Sequence, residues 1–234
     1  MEGRSGSEEG GVTPQPAAGA RATPRLYLAT PPVEDPAVLT AELPALLAGA
    51  DIAAVLLRLA PGDERTLIKR IKALAPAVQI TGAALLIDGH PDLVAKSGAD
   101  GAHVAGVEAL AAALPILKPE RIAGAGRLPT RHDAMVAGEA GADYLLFGDA
   151  DADGRRPSTE AIAERIQWWA EVFQPPCVGA AVTRDEAQAF AAAGADFILL
   201  DDAVWADARG PLAALTDIAA AVGATAAPHS LPPP

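Results

Sequence analysis

One phrase occurs three times in this chain and limits what it can fold into: Ser97-Gly98-Ala99-Asp100-Gly101-Ala102-His103-Val104, then Ala140-Gly141-Ala142-Asp143-Tyr144-Leu145-Leu146-Phe147-Gly148, then Ala193-Gly194-Ala195-Asp196-Phe197-Ile198-Leu199-Leu200. In each copy a helical pattern stops at a glycine, an aspartate follows, and a short apolar run begins. Glycine ends a helix cheaply because it enters the left-handed conformation that other residues avoid. A run without polar alternation is a strand covered on both faces, as in parallel sheets. The unit is therefore helix, Gly-Ala-Asp, buried strand, and a chain that repeats it builds an α/β sheet or barrel.

Between and before these phrases the pattern continues. Strands are expected at 25–30, 53–59, 83–88, 121–126 and 177–182, with three more inside the phrases, the first of them ending near Val104. Helices are expected from Pro36, with Leu39, Leu43, Leu46 and Leu47 on one face, and over 63–75, with Leu67, Ile71 and Leu74 in register. Further helices fall at 91–97, 108–117, 131–140 and 184–193. Two more carry the stripes Ile162, Ile166, Trp169, Phe173 and Leu212, Leu215, Ile218, Val222. Eight such units predict a single (β/α)8 TIM barrel over 25–225 rather than an open doubly wound sheet. Residues 1–24, rich in Gly, Ser, Glu and Pro, are expected to form a disordered leader, and 226–234 a flexible tail.

The 30 acidic and 18 basic side chains give a net charge of -12, which argues against nucleic acid and anionic membrane as partners. No apolar run approaches the roughly 18 residues of a membrane span. The single cysteine, Cys177, permits no intrachain disulfide and points to a reducing, cytoplasmic setting. It reads as a packed small hydrophobe. Trp168 and Trp169 are adjacent and point different ways from their helix, Trp169 into the core and Trp168 toward a subunit contact if the chain is a homo-oligomer.

In such a barrel the functional residues follow the strands at one rim. The chain places there Arg58, Asp88, His103, a Gly124-Ala125-Gly126 turn, Asp149, a Gly179-Ala180-Ala181 turn, and Asp201 with Asp202. His103 reads as a hydrogen-bonded residue of the barrel mouth. Asp149, Asp151, Asp153, Gly154 and Glu160 match the calcium-loop pattern D-x-D-x-D-G-x5-E. The competing reading is a solvated acidic loop with Glu160 in the first turn of the next helix. No His and Cys spacing suits zinc.

The order of these pieces resembles the thiamine phosphate synthase and thiazole tautomerase (TenI-like) family over about residues 25–222. The resemblance is carried by Arg25-Leu26-Tyr27-Leu28, Gly98 to Val104, Gly141 to Gly148, and Gly194 to Asp196. Leu56-Leu57-Arg58-Leu59-Ala60 stands where that family has Gln-Leu-Arg-Glu-Lys, Asp88-Gly89 where it has Asn-Asp, and Ala180-Ala181 where it has a Gly-Gly phosphate turn. Gly124 to Thr130 stands in its Gly-x-Ser-x-His-Thr turn, Arg156-Pro157 at its Lys-Pro, and Asp202 at its strand-eight serine.

The resemblance implies a transferase that couples hydroxymethylpyrimidine diphosphate to thiazole phosphate with magnesium and releases pyrophosphate. By motif position it implies Arg58 and Thr130 as catalytic residues, Arg58, Arg156, Thr130 and His103 as the residues that bind a small phosphorylated substrate, and Asp88 and Glu108 as magnesium ligands. Asp202 is expected to face the substrate phosphate, where its charge would repel. The alternative is a diverged, non-catalytic barrel that binds a small ligand or a divalent cation.

Overall fold

The computed structural model describes residues 22–151 and 153–226. Apart from residues 22–24 and Ala226, the expected leader and tail lie outside the described residues.

Eight parallel strands close into a barrel in chain order, the last pairing with the first. They are β1 (Arg25–Ala29), β2 (Ile52–Leu57), β3 (Ala84–Asp88), β4 (Gly101–Ala105), β5 (Ile122–Gly126), β6 (Tyr144–Phe147), β7 (Cys177–Ala181) and β8 (Phe197–Leu200). The helices between them are α1 (Ala37–Gly49), α2 (Glu64–Gln79), α3 (Val94–Ser97, entered by a 3-10 turn), α4 (Gly106–Leu117), α5 (Arg131–Ala140), α6 (Thr159–Val172) and α7 (Arg184–Ala193). A short α8 (Asp202–Trp205), which the sequence did not announce, precedes α9 (Pro211–Ala226). The (β/α)8 barrel expected from the repeat is the fold observed.

Local chemistry sets the helix ends. Asp63, Ser158 and Thr183 cap α2, α6 and α7 by accepting from amides three residues on. Thr130 and Asp133 form a reciprocal capping box at α5. Gly98, Gly141 and Gly194, the glycines of the repeated phrase, end α3, α5 and α7 with φ of 81°, 104° and 99°.

The aspartate of each phrase has a role that sequence reading did not supply. Asp100 Oδ2 accepts from the Leu85 amide, while the Asp100 amide donates to the Leu85 carbonyl. Asp143 treats Ala123 in the same way, and Asp196 treats Cys177. Each Gly-Ala-Asp thus fastens the strand it opens to the residue near the start of the strand before it.

Strand side chains alternate between two cores. Leu26, Leu28, Val55, Leu57, Leu85, Ile87, Ile198 and Leu200 point outward against the helices, together with Leu43, Ile71, Ile166 and Phe190. Tyr27, Ala29, Leu56, Leu86, Tyr144, Leu146, Val178, Ala180 and Leu199 fill the barrel. Burying apolar surface on both faces is the main stabilising term for such strands. Cys177 is fully buried, as expected.

The Gly124-Ala125-Gly126 segment is not a turn but strand β5. A Cβ at Gly124 would lie 2.0 Å from Cζ of Tyr144, and one at Gly126 would lie 2.7 Å from both Asp149 Oδ2 and His103 Nε2. The glycines are there because side chains from neighbouring strands occupy the space. Gly179-Ala180-Ala181 is likewise strand, within β7. Trp168 packs on Trp169 and Phe173, with the Arg131 guanidinium 4.9 Å over its ring. Among the described residues no helix is long and apolar enough to cross a membrane.

Candidate active site

The C-terminal ends of the strands surround a cavity of about 450 Å³ lined by Arg58, Asp88, His103, Arg127, Asp149 and Asp201, with Leu56, Leu146, Ala180 and Leu199 as its apolar floor and walls. Arg58 follows β2, and its amide donates to Thr30 Oγ1 at 3.1 Å, which anchors the start of the loop. Its guanidinium lies 3.3 Å from Asp201 Oδ2 and 3.9 Å from Asp88 Oδ2. Asp201 uses its other oxygen to accept from the Asp202 amide and begin α8. Burial raises the Asp88 carboxyl above the usual aspartate range, while the charges of Arg58, Arg127 and His90 pull it down.

His103 is held from inside the barrel. Its Nδ1 lies 3.0 Å from the Tyr144 hydroxyl, which lies 2.9 Å from the Tyr27 hydroxyl, so a polar chain crosses the interior from β4 through β6 to β1. Burial, reinforced by the positive charges of Arg58 and Arg127, brings the His103 pKa down to about 4. The ring is therefore neutral at pH 7. Burial raises both tyrosines, which stay protonated. This chain was missed in the sequence. Its signal was the position of Tyr27 and Tyr144, each in register with inward-facing neighbours of an otherwise apolar strand.

A cavity at the C-terminal ends of the strands is where (β/α)8 enzymes place their active sites. The thiamine monophosphate synthase family model matches residues 26–204. The chain belongs to the thiamine monophosphate synthase family. It is 38% identical over 201 residues to the thiamine-phosphate synthase of Rhodospirillum centenum, covering 82% of this chain and 95% of that one. It is 34% identical over 199 residues to the thiamine-phosphate synthase of Hyphomonas neptunium, covering 82% and 90%. Among solved structures, the thiamine phosphate pyrophosphorylase of Pyrococcus furiosus superposes with a TM-score of 0.71 at 22% identity, covering 86% of this chain and 96% of that one, which supports the fold.

Measured against the family motifs, Arg58, Asp88 and His103 meet at the cavity. The other expected groups are placed differently. Arg156 touches the cavity wall, but its guanidinium donates to the Gly148 and Ala180 carbonyls, each at 2.6 Å, and to the Glu186 carboxylate. It clamps the ends of β6 and β7 together. Thr130 is exposed, and its hydroxyl is engaged with Asp133 at the start of α5. Glu108 is exposed in the first turn of α4 and does not line the cavity.

Asp202 also departs from expectation. It is exposed as the first residue of α8, and Asp201 faces the cavity in its place. One position decides the difference, because the chain leaves β8 at Asp201 in a conformation, φ -132° and ψ -103°, that is neither strand nor helix.

The carboxylates of the acidic loop engage protein donors. Asp149 turns into the barrel mouth and accepts from the Arg127 amide at 2.5 Å. Asp151 accepts from the Asp153 and Arg155 amides, Asp153 pairs with Arg155, and Glu160 sits in the first turn of α6. Calcium takes six to eight converging oxygens; here Asp151 and Asp153 share the Arg155 guanidinium and Asp149 accepts from the Arg127 amide. Among the described residues no three His, Cys, Asp or Glu side chains group to hold a metal. Magnesium asks for less, being held by one or two carboxylates together with substrate phosphate oxygens and water. Asp88, a carboxylate donor at the cavity wall with Arg58 3.9 Å away, fits that requirement.

Proposed function

We propose that the chain makes thiamine phosphate by joining hydroxymethylpyrimidine diphosphate to thiazole phosphate. A bond forms between the pyrimidine methylene carbon and the thiazole nitrogen. The bond from that carbon to the diphosphate oxygen breaks, and its electron pair leaves with pyrophosphate. The observation that carries this reading is the meeting of Arg58, Asp88 and His103 at one barrel mouth in a member of this family.

Each group has a task its surroundings suit. Arg58 is held by Asp201 at 3.3 Å, a separation that a diphosphate oxygen can compete with, and the planar guanidinium can take that oxygen with two donors. His103, uncharged and fixed at Nδ1 by Tyr144, offers a neutral polar edge to a heteroaromatic ring. The apolar walls exclude water from the carbon under attack. Asp88 would hold magnesium, which when bound supplies positive charge to the leaving diphosphate. Arg156 and Thr130 act on the loops that frame the cavity. Soluble phosphorylated substrates agree with a cytoplasmic setting.

A second reading, ligand binding without turnover, is favoured by one feature: Arg156 spends its guanidinium within the protein. The purified chain supplied with both substrates and magnesium separates the two. Formation of thiamine phosphate with one pyrophosphate per product supports synthesis. Calorimetric binding of hydroxymethylpyrimidine diphosphate without product supports the second reading, and absence of both overturns each.

A further inference from the structure

Arg127 is the one non-glycine residue with positive φ among the described residues, at +50°. The left-handed conformation is unfavourable for a residue that carries a side chain, and such strain persists where surrounding contacts impose it. Here they do. Asp149 Oδ2 accepts from the Arg127 amide, and the preceding Gly126 lacks the Cβ that would strike Asp149 and His103. The chain therefore leaves β5 in a bend that its neighbours enforce.

The bend sets Arg127 on the wall shared by two spaces, the mouth cavity of about 450 Å³ and a side cleft of about 440 Å³ lined by Leu128, Pro129, Phe147 and Arg165. Arg58 is paired with Asp201 and Arg156 with Glu186, whereas Arg127 has no ion pair or side-chain hydrogen bond among the described residues. Its charge is nevertheless felt inside the mouth. After burial, Arg58 and then Arg127 oppose protonation of His103, and both favour the ionised form of Asp88. In a chain of net charge -12, an arginine held in strain at this place, near Asp88 and Asp149 but in an ion pair with neither, keeps its donors available for an anion.

We infer that Arg127 is a substrate-binding residue that takes a phosphate group of the diphosphate substrate, opposite Arg58, at the seam between the mouth and the side cleft. The inference rests on the reading above for its ligand. It places a cation in the β5 loop, where the family turn carries serine and histidine and this chain has Gly126 and Leu128. Asp149 is the positioning residue, acting through the Arg127 backbone.

The decisive variant is Arg127→Gly, because glycine adopts positive φ without penalty and the change separates strain from binding. Calorimetry with inorganic pyrophosphate and magnesium is expected to show at least a tenfold weaker Kd for Arg127→Gly than for the parent chain. Its thermal midpoint should stay equal or rise. Arg127→Lys should fall between the two, retaining charge without the two-pronged geometry. Unchanged pyrophosphate affinity in Arg127→Gly, or no pyrophosphate binding by the parent chain, overturns the inference. If the parent chain forms no thiamine phosphate yet pyrophosphate binding still depends on Arg127, the synthase reading fails and the anion site stands. If the chain is active and Arg127→Gly leaves the KM for hydroxymethylpyrimidine diphosphate unaltered, the reading stands and the inference fails.

Discussion

The ring of Tyr144 on β6 occupies the place a side chain at Gly124 on β5 would take, with Cζ 2.0 Å from the position of an added Cβ. Tyr144 cannot yield, because its hydroxyl is tied to His103 on one side and Tyr27 on the other, and its ring stacks on His103 at 5.7 Å between centroids. Gly124→Ala is therefore expected to destabilise the fold by about 3 kcal/mol, the upper end for overpacking a core. A urea transition displaced by less than about 1 kcal/mol would show that the barrel interior can repack.

His103 should make stability depend on pH. Its pKa falls from the ordinary 6.5 in the unfolded chain to about 4 in the folded one. The contribution is full above pH 6.5 and is lost as pH falls from 6.5 to about 4, because there the unfolded chain binds a proton that the folded chain refuses. The loss amounts to about 3 kcal/mol. Asp88 and Asp149, whose carboxyls burial raises, act with the opposite sign. The measurement is accordingly the difference between the parent chain and His103→Gln, whose urea midpoints should converge as pH falls from 6.5 to 4.

Removing the Glu186 carboxylate should cost more than a surface ion pair would. Glu186 is 13% exposed and receives Arg156, the Thr159 hydroxyl and the Val182 amide. Glu186→Ala leaves those donors without their acceptor in a poorly hydrated site, at an expected cost of about 3 kcal/mol. Glu186→Gln should recover part of it. Equal stability of the Ala and Gln variants would contradict the clamp.

The Gly-Ala-Asp fastening can be tested away from the site. Asp100→Ala deprives the buried Leu85 amide of its acceptor and should destabilise by about 1–3 kcal/mol. Pyrophosphate affinity should be unaffected, since these contacts lie at the end of the barrel opposite the cavity. Reduced affinity in a variant that remains fully folded would contradict this.

The legible parts of the site were those whose position in a motif sets their direction. Asp88 ends β3, Arg58 directly follows β2 and His103 lies within β4, and all three reach the cavity. Gly124 and Gly126 fall inside the strand expected at 121–126 and also carry the glycine signal of a turn; the structure has the strand. Their cause, an aromatic ring and an imidazole arriving from other strands, is not local. The roles of Arg156, Thr130 and Asp202 were unreadable for a related reason. Nearby partners, Glu186, Asp133 and the bend at Asp201, claim or redirect them.

What the sequence by itself determined is the alternation of helix and buried strand and the points where helices stop, since both follow from local backbone preference and apolar pattern. The glycines of the three phrases end their helices as that logic requires, and eight such units close a ring. Only the tertiary structure decided which polar groups at the rim meet. A strand's side chains change face with each residue, so the stagger between neighbouring strands sets which strand ends meet at the rim, where the bend at Asp201 turns that residue rather than Asp202 to the cavity and the Arg127 amide holds Asp149. That stagger is fixed by the closure of all eight strands together, a property that no single stretch of the chain contains.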